Sequence, residues 1–210
     1  MKKKNTNTHY MAMLAMLCSI LVVMGATGIG FIPLPLIKAT TMHIPVILGA
    51  VLLGPAAGAV LGGVFGLCSM WTNTVTPSVL SFAFSPFMTN EGILGMAKSI
   101  WIALCCRILF GLFAGFLWKW MKKLLRSDFA ALPITAAIST IVHTCLVMGS
   151  IYLLLAQQYA AAKNVAMSAV FGLIMGTVTA SGIPEAIAAA ILVTVLGRTL
   201  LRMLSRLRKQ

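Results

Sequence analysis

The chain has 210 residues, of which 60% are hydrophobic and 9% charged, with a mean hydropathy of +1.01 and a formal net charge of +13. Soluble domains carry about 25% charged residues, so this composition excludes one or two water-soluble domains and makes lipid the natural solvent. The charge does not point to nucleic acid, because the basic residues cluster beside apolar runs instead of interleaving with aromatics on one face.

A membrane-spanning helix needs about 20 apolar residues. The first such run covers residues 10–31, after Lys2, Lys3 and Lys4. It is long enough to span, and no A-x-A-like site follows it before the next apolar segment, so it reads as a retained helix and not as a cleaved leader. A short loop at 32–41 carries Pro33, Pro35 and Lys38. The apolar stretch from Met42 to Trp71 is broken by Gly54-Pro55. Proline donates no interior hydrogen bond and disfavours helix in the residue before it, which predicts two helices, 42–54 and 55–71.

Residues 72–91 form a long loop rich in Thr, Ser, Asn and Pro that also holds Phe82, Phe84 and Phe87. Loops of that length are usually functional or disordered, and the aromatics argue against disorder. A fourth helix is predicted at 92–121, followed by a basic loop with Lys119, Lys122, Lys123, Arg126 and Asp128. A fifth follows at 132–157. The connection 158–183 has an apolar centre, expected to dip into the protein as a partial helix. Pro184 then reads as the first turn of helix six, 184–204, which ends in a basic tail. The expectation is an all-α integral membrane protein, with six transmembrane helices in one domain over 1–210.

Charge tests that count. With six crossings, both termini and the loop between helices four and five share one side. That side collects twelve basic residues: Lys2, Lys3, Lys4, Lys119, Lys122, Lys123, Arg126, Arg198, Arg202, Arg206, Arg208 and Lys209. Only Lys38, Lys98, Arg107 and Lys163 remain elsewhere. Cytoplasmic flanks concentrate Lys and Arg, so both termini are expected in the cytoplasm and the long loops outside.

Gly54, Gly58, Gly62 and Gly66 form a stripe that admits another helix at close range, and Gly111/Gly115 and Gly172/Gly176 invite the same reading. Ala12, Ala15 and Ser19 put small residues on helix one, a candidate docking stripe for another membrane subunit. Arg107 lies about 15 residues into helix four, where a guanidinium is costly unless it meets a counter-charge or a wet cavity. Two readings stand: an ion pair with Glu185, or an anion-binding cavity.

Several classes lack their equipment. Cys18, Cys68, Cys105, Cys106 and Cys145 are odd in number and form no CxxC, which argues against disulfides or zinc. His43 and His143 have no second histidine at i+3 or i+4, so no metal site is expected, and His143 is expected to hydrogen-bond across helices. There is no HExxH, no GxSxG and no pair of membrane aspartates, so no catalytic residue is assigned. The absence of GxxxxGK[ST] means the chain does not hydrolyse ATP by the P-loop route. An autonomous carrier for a small organic anion stays open, though no internal repeat is visible.

The segment IKATTMHIPVILGAVLLGPAAGAVLGGVFGL at 37–67, with SFAFSPF at 81–87, resembles the second and third helices and the following loop of the substrate-binding S components of energy-coupling factor (ECF) transporters. The resemblance implies a subunit that binds a vitamin from outside and topples in the bilayer to release it inward. It also implies a transmembrane scaffold subunit and two ATPase subunits as partners. ATP is then used by those partners, and no cofactor belongs to this chain. The family's alanine-x-x-x-alanine docking motif is represented by Ala15-x-x-x-Ser19. Within the family the chain is most similar to the pantothenate type, with the riboflavin type second. Pantothenate is a small anion with hydroxyl and amide groups. Lys38, Lys98 and Arg107 supply cations for it, Asn73, Ser85 and Asn90 supply polar groups, and Glu185 joins the set as the prospective partner of Arg107. A flat riboflavin would instead stack on Trp71, Phe82, Phe84 or Trp101.

Overall fold

The computed structural model of the chain describes residues 2–33, 38–89 and 91–207. Helix α1 (Lys2–Thr27) ends where Gly28 takes φ +74. A short antiparallel hairpin follows, β1 (Phe31–Pro33) with β2 (Lys38–Thr40), in the register Phe31–Thr40, Ile32–Ala39 and Pro33–Lys38. Helices α2 (His43–Leu53) and α3 (Pro55–Val75) meet at Gly54, whose φ of +100 is open to glycine and strained for other residues. The break predicted at Gly54-Pro55 is present.

After α3, a single 310 turn (Ser81–Ala83) interrupts the loop. Then α4 (Gly92–Ile100), a π-helical turn (Trp101–Cys105) and α5 (Cys106–Leu125) run on as one rod. Helices α6 (Asp128–Lys163) and α7 (Met167–Leu207) complete the bundle. The fold is therefore all-helical apart from the hairpin, with six rods. Five are long and apolar enough to cross a membrane, and α2 is a shorter apolar helix.

At a rise of about 1.5 Å per residue, α2 is only about 16 Å long, half of a hydrocarbon core of about 30 Å. It is apolar all round because it is surrounded: nine of its eleven residues are buried, and α1, α3, α5, α6 and α7 all pack on it. Ala50 faces Gly58, and Leu61 fills the space beside Gly49, so α2 and α3 fold back on each other. The core gathers Ile47, Leu48, Leu61, Phe65, Phe110, Leu132 and Val193 around α2.

The glycine stripe has its partner in α5. A Cβ on Gly58 would collide with the carbonyl of Gly111, and one on Gly62 with the carbonyl of Arg107. At Gly66 it would stand 2.6 Å from the carbonyl of Ala103, and at Gly115 2.5 Å from Cα of Pro55. Gly172 and Gly176 differ: nothing lies within 4 Å of a Cβ placed there, so the close-packing expectation fails for that pair.

The connection 158–183 is also not the partial dip expected. Helix α6 continues to Lys163, with one break at Leu155 (φ −134, ψ 23), and α7 starts at Met167, so Pro184 lies inside α7 and does not begin it. The reason is solvent. In lipid an irregular backbone has no water to bond, and an apolar segment such as 167–183 pairs its own peptide groups as helix. One proline then costs a single bond that neighbouring helices tolerate.

Candidate functional site

Gly62 brings the α3 backbone against α5 at Arg107, and one and two turns further along α3 stand Phe65 and Ser69. This close approach builds the site. The Arg107 side chain is 4% exposed. Its Nη1 donates to the carbonyls of Ile102 and Ala103, both at 2.9 Å, and its Nη2 donates to Ser69 Oγ at 3.1 Å. Those two carbonyls belong to the π turn, a local unwinding that often marks functional positions in helices. The guanidinium carbon lies 4.8 Å from the Phe65 ring centre and 5.2 Å from that of Phe84.

Nε of Arg107 is buried without a partner among the described residues. No carboxylate answers the charge either. The sequence has three Asp and Glu residues, and all are committed elsewhere. Glu91 pairs with Lys98 at 2.7 Å, Asp128 pairs with Lys122 at 3.2 Å, and Glu185 accepts the backbone N–H of Thr40 at 3.0 Å. The Arg107–Glu185 pair is thus not formed. Glu185 instead pins the end of the β hairpin to α7.

The loop after α3 folds over this cation. Asn73 donates to the carbonyl of Ser69 at 2.8 Å and accepts from Ser81 Oγ at 3.0 Å, and Ser81 Oγ accepts the N–H of Ser78 at 2.7 Å. The hydroxyls of Thr74 and Ser85 are 2.7 Å apart, and Ser99 on α4 donates to the carbonyl of Phe82 at 2.8 Å. Ser81, Ala83 and Ser85 are buried, and Phe84 is carried over the guanidinium. Phe84 is thus the aromatic of this loop that covers the cation, while Phe87 is exposed.

A second polar face belongs to α6. Thr135, Ser139 and His143 recur every four residues and are all buried. The His143 ring packs against Phe65 (centroids 5.6 Å apart) and Phe110 (4.7 Å), so it shares the Phe65 wall with Arg107.

The sequence-predicted site residues divide accordingly. Arg107 and Asn73 meet through Ser69 under the cover, whereas Ser85 lies in the covering loop and bonds Thr74. Lys98 lies at the α4 end, engaged by Glu91. Lys38 stands in β2 opposite Pro33, its side chain outside what is described, and Asn90 lies outside the described residues. Ser69, Ser81, Phe65 and His143 were not singled out as site residues. The i+3 and i+7 steps from Gly62 were the available signal for Phe65 and Ser69. Ala12, Ala15 and Ser19 are exposed on α1, beside the exposed Met11, Met16, Ile20 and Val23.

Comparison with known proteins agrees in one direction. Residues 9–197 match the family described as ECF transporter, substrate-specific component. The chain is similar to the pantothenic acid transporter PanT of Lactococcus lactis subsp. cremoris (strain MG1363), with 34% identity over 195 residues, 91% of this chain and 93% of that protein.

Proposed function

Because the chain belongs to the substrate-specific components of ECF transporters, a family of multi-pass membrane transport subunits and not of enzymes, we propose that it binds pantothenate and delivers it to an ATP-driven importer. The observation that carries the reading is the buried guanidinium of Arg107, which no carboxylate of this chain neutralises. A carboxylate ligand supplies that missing charge, and its two oxygens suit the planar fork of an arginine. The similarity to a pantothenic acid transporter supports the same acid over a flat, uncharged aromatic.

Transport then rests on partners. A transmembrane scaffold docks on the small-residue face of α1 at Ala12, Ala15 and Ser19, and two ATPases supply the energy. This chain binds no ATP and needs no cofactor. It sits in the cell membrane with both termini in the cytoplasm, so the covering loop 76–89 faces outside. Asn73 and Ser85 hold the cover closed, and Lys98 is tied to Glu91 at the α4 end.

The test is binding and copurification together. The detergent-purified chain should bind pantothenate and not riboflavin in isothermal titration. From its native membrane it should bring down one integral membrane protein and two ATPases. A protein that binds riboflavin, or one that transports an organic anion alone in proteoliposomes, removes this reading.

A further inference from the structure

Buried polar groups in a native protein are nearly always paired, and each exception calls for an occupant. Among the described residues, several of the buried atoms without a partner lie on the α6 side of Arg107. They are Nε of Arg107 itself, Nδ1 of His143, Oγ of Ser139 and Oγ1 of Thr135; Oε1 of Gln158, further along α6, is unpaired as well, and the ring nitrogens of His43 face the backbone of Thr40 and Glu185. The polar groups on the other side, Ser69, Asn73, Thr74, Ser81 and Ser85, bond one another. Neighbours on α6 sharpen the contrast. Thr140 and Thr144 donate to carbonyls four residues back, at 2.9 and 3.1 Å, whereas Thr135 and Ser139 do not.

The unpaired atoms of Arg107, Ser139 and His143 come from two helices. His143 and Ser139 are on α6, one turn apart, and Arg107 is on α5. His143 and Arg107 pack on the same Phe65 ring, at 5.6 and 4.8 Å from its centre. All of these side chains are at least nine-tenths buried. The set offers imidazole and hydroxyl groups that both donate and accept, next to a cation that only donates.

We propose that Ser139 and His143 form the inner half of the ligand site, taking the hydroxyl groups of a ligand whose carboxylate is held at Arg107. This rests on the pantothenate reading, and it gives that ligand a direction: acid at α5, hydroxyl end at α6. The self-bonded serines and Asn73 then serve the cover, and the unpaired atoms serve the ligand.

The experiment compares two ligands on the full-length purified protein. One is pantothenate. The other is its dideoxy analogue, with both hydroxyls replaced by hydrogen and the carboxylate and amide kept. Wild type is expected to prefer pantothenate. Ser139→Ala and His143→Phe should each weaken pantothenate at least about fivefold while leaving the analogue unchanged, and His143→Gln should recover part of the loss. Ser139→Ala removes one atom and keeps the measurement meaningful if His143→Phe does not fold. Variants that bind both ligands as wild type does, or lose both equally, overturn the proposal: internal water or packing then accounts for these residues. If wild type binds no pantothenate, the pantothenate reading itself falls, and this assignment falls with it.

Discussion

Replacing Arg107 with glutamine is the most direct perturbation of the site. The guanidinium has five N–H donors. Three are engaged, by the carbonyls of Ile102 and Ala103 and by Ser69, so two remain, one of them on the buried Nε. Two donors on one planar group match the two oxygens of a carboxylate. A hydrogen bond to a charged group contributes about 1.5–3 kcal/mol, which is about ten- to a hundredfold in affinity. Arg107→Gln should therefore weaken pantothenate at least about tenfold. Arg107→Lys should restore only part of it, because an ammonium keeps the charge and loses the fork. Isothermal titration in detergent measures the affinity, and thermal unfolding without ligand measures the cost to the π turn whose carbonyls Arg107 serves. A folded Arg107→Gln protein with wild-type affinity would refute the reasoning, and a drop in ligand-free stability alone would make Arg107 a structural clamp on α5.

Three other outcomes follow from the same description. Single cysteines at Thr76 and Arg206, both exposed, report the orientation in a cysteine-free background: an impermeant maleimide should label position 76 and not 206 in intact cells, and the reverse would sink the topology. Ala15→Trp, on the exposed face of α1, should abolish uptake while leaving pantothenate binding intact; normal uptake at normal expression would take this stripe out of docking. Gly62→Ala should lower the thermal midpoint and weaken ligand binding together, because its Cβ would collide with the Arg107 carbonyl and force α3 away from the site, whereas Gly172→Ala should change neither.

The sequence revealed most clearly what depends on the solvent. Apolar length signalled the rods but missed the first half of α7, and Gly54-Pro55 marked a break because proline and a left-handed glycine act locally. It misled where local signals competed with lipid. Pro184 carried a start signal that a continuous apolar α7 overrides, and the β hairpin left no alternation of its own across three-residue strands. The site was half legible. Arg107 stood out because a cation in an apolar run is expensive wherever it points. Its surroundings did not, since Ser69 reaches it and His143 shares its Phe65 wall only through the α3–α5 and α5–α6 packing, which no single-sequence period encodes. Glu185 was the natural partner by elimination, and the hairpin amide that captures it belongs to a segment with no predicted structure.

An uncompensated cation in a membrane protein has a consequence for the empty and loaded states. Within the chain the guanidinium is held by dipoles: two carbonyls, one hydroxyl and two aromatic faces. Those contacts reduce the cost of the buried charge without cancelling it, since neither a carbonyl nor a ring carries a full negative charge. A carboxylate ligand cancels it, and the loaded subunit carries one charge fewer through the apolar medium. The ligand also gains less than a bare guanidinium would give, because three donors are already spent. Affinity is thus the difference between a neutralised charge and one that is already partly solvated by the protein. Ser69 tunes that difference. Removing its hydroxyl in Ser69→Ala frees a third donor on Arg107 and loosens the Asn73 network beneath the cover. Binding should then respond in rate more than in affinity, with faster dissociation as the cover opens more readily.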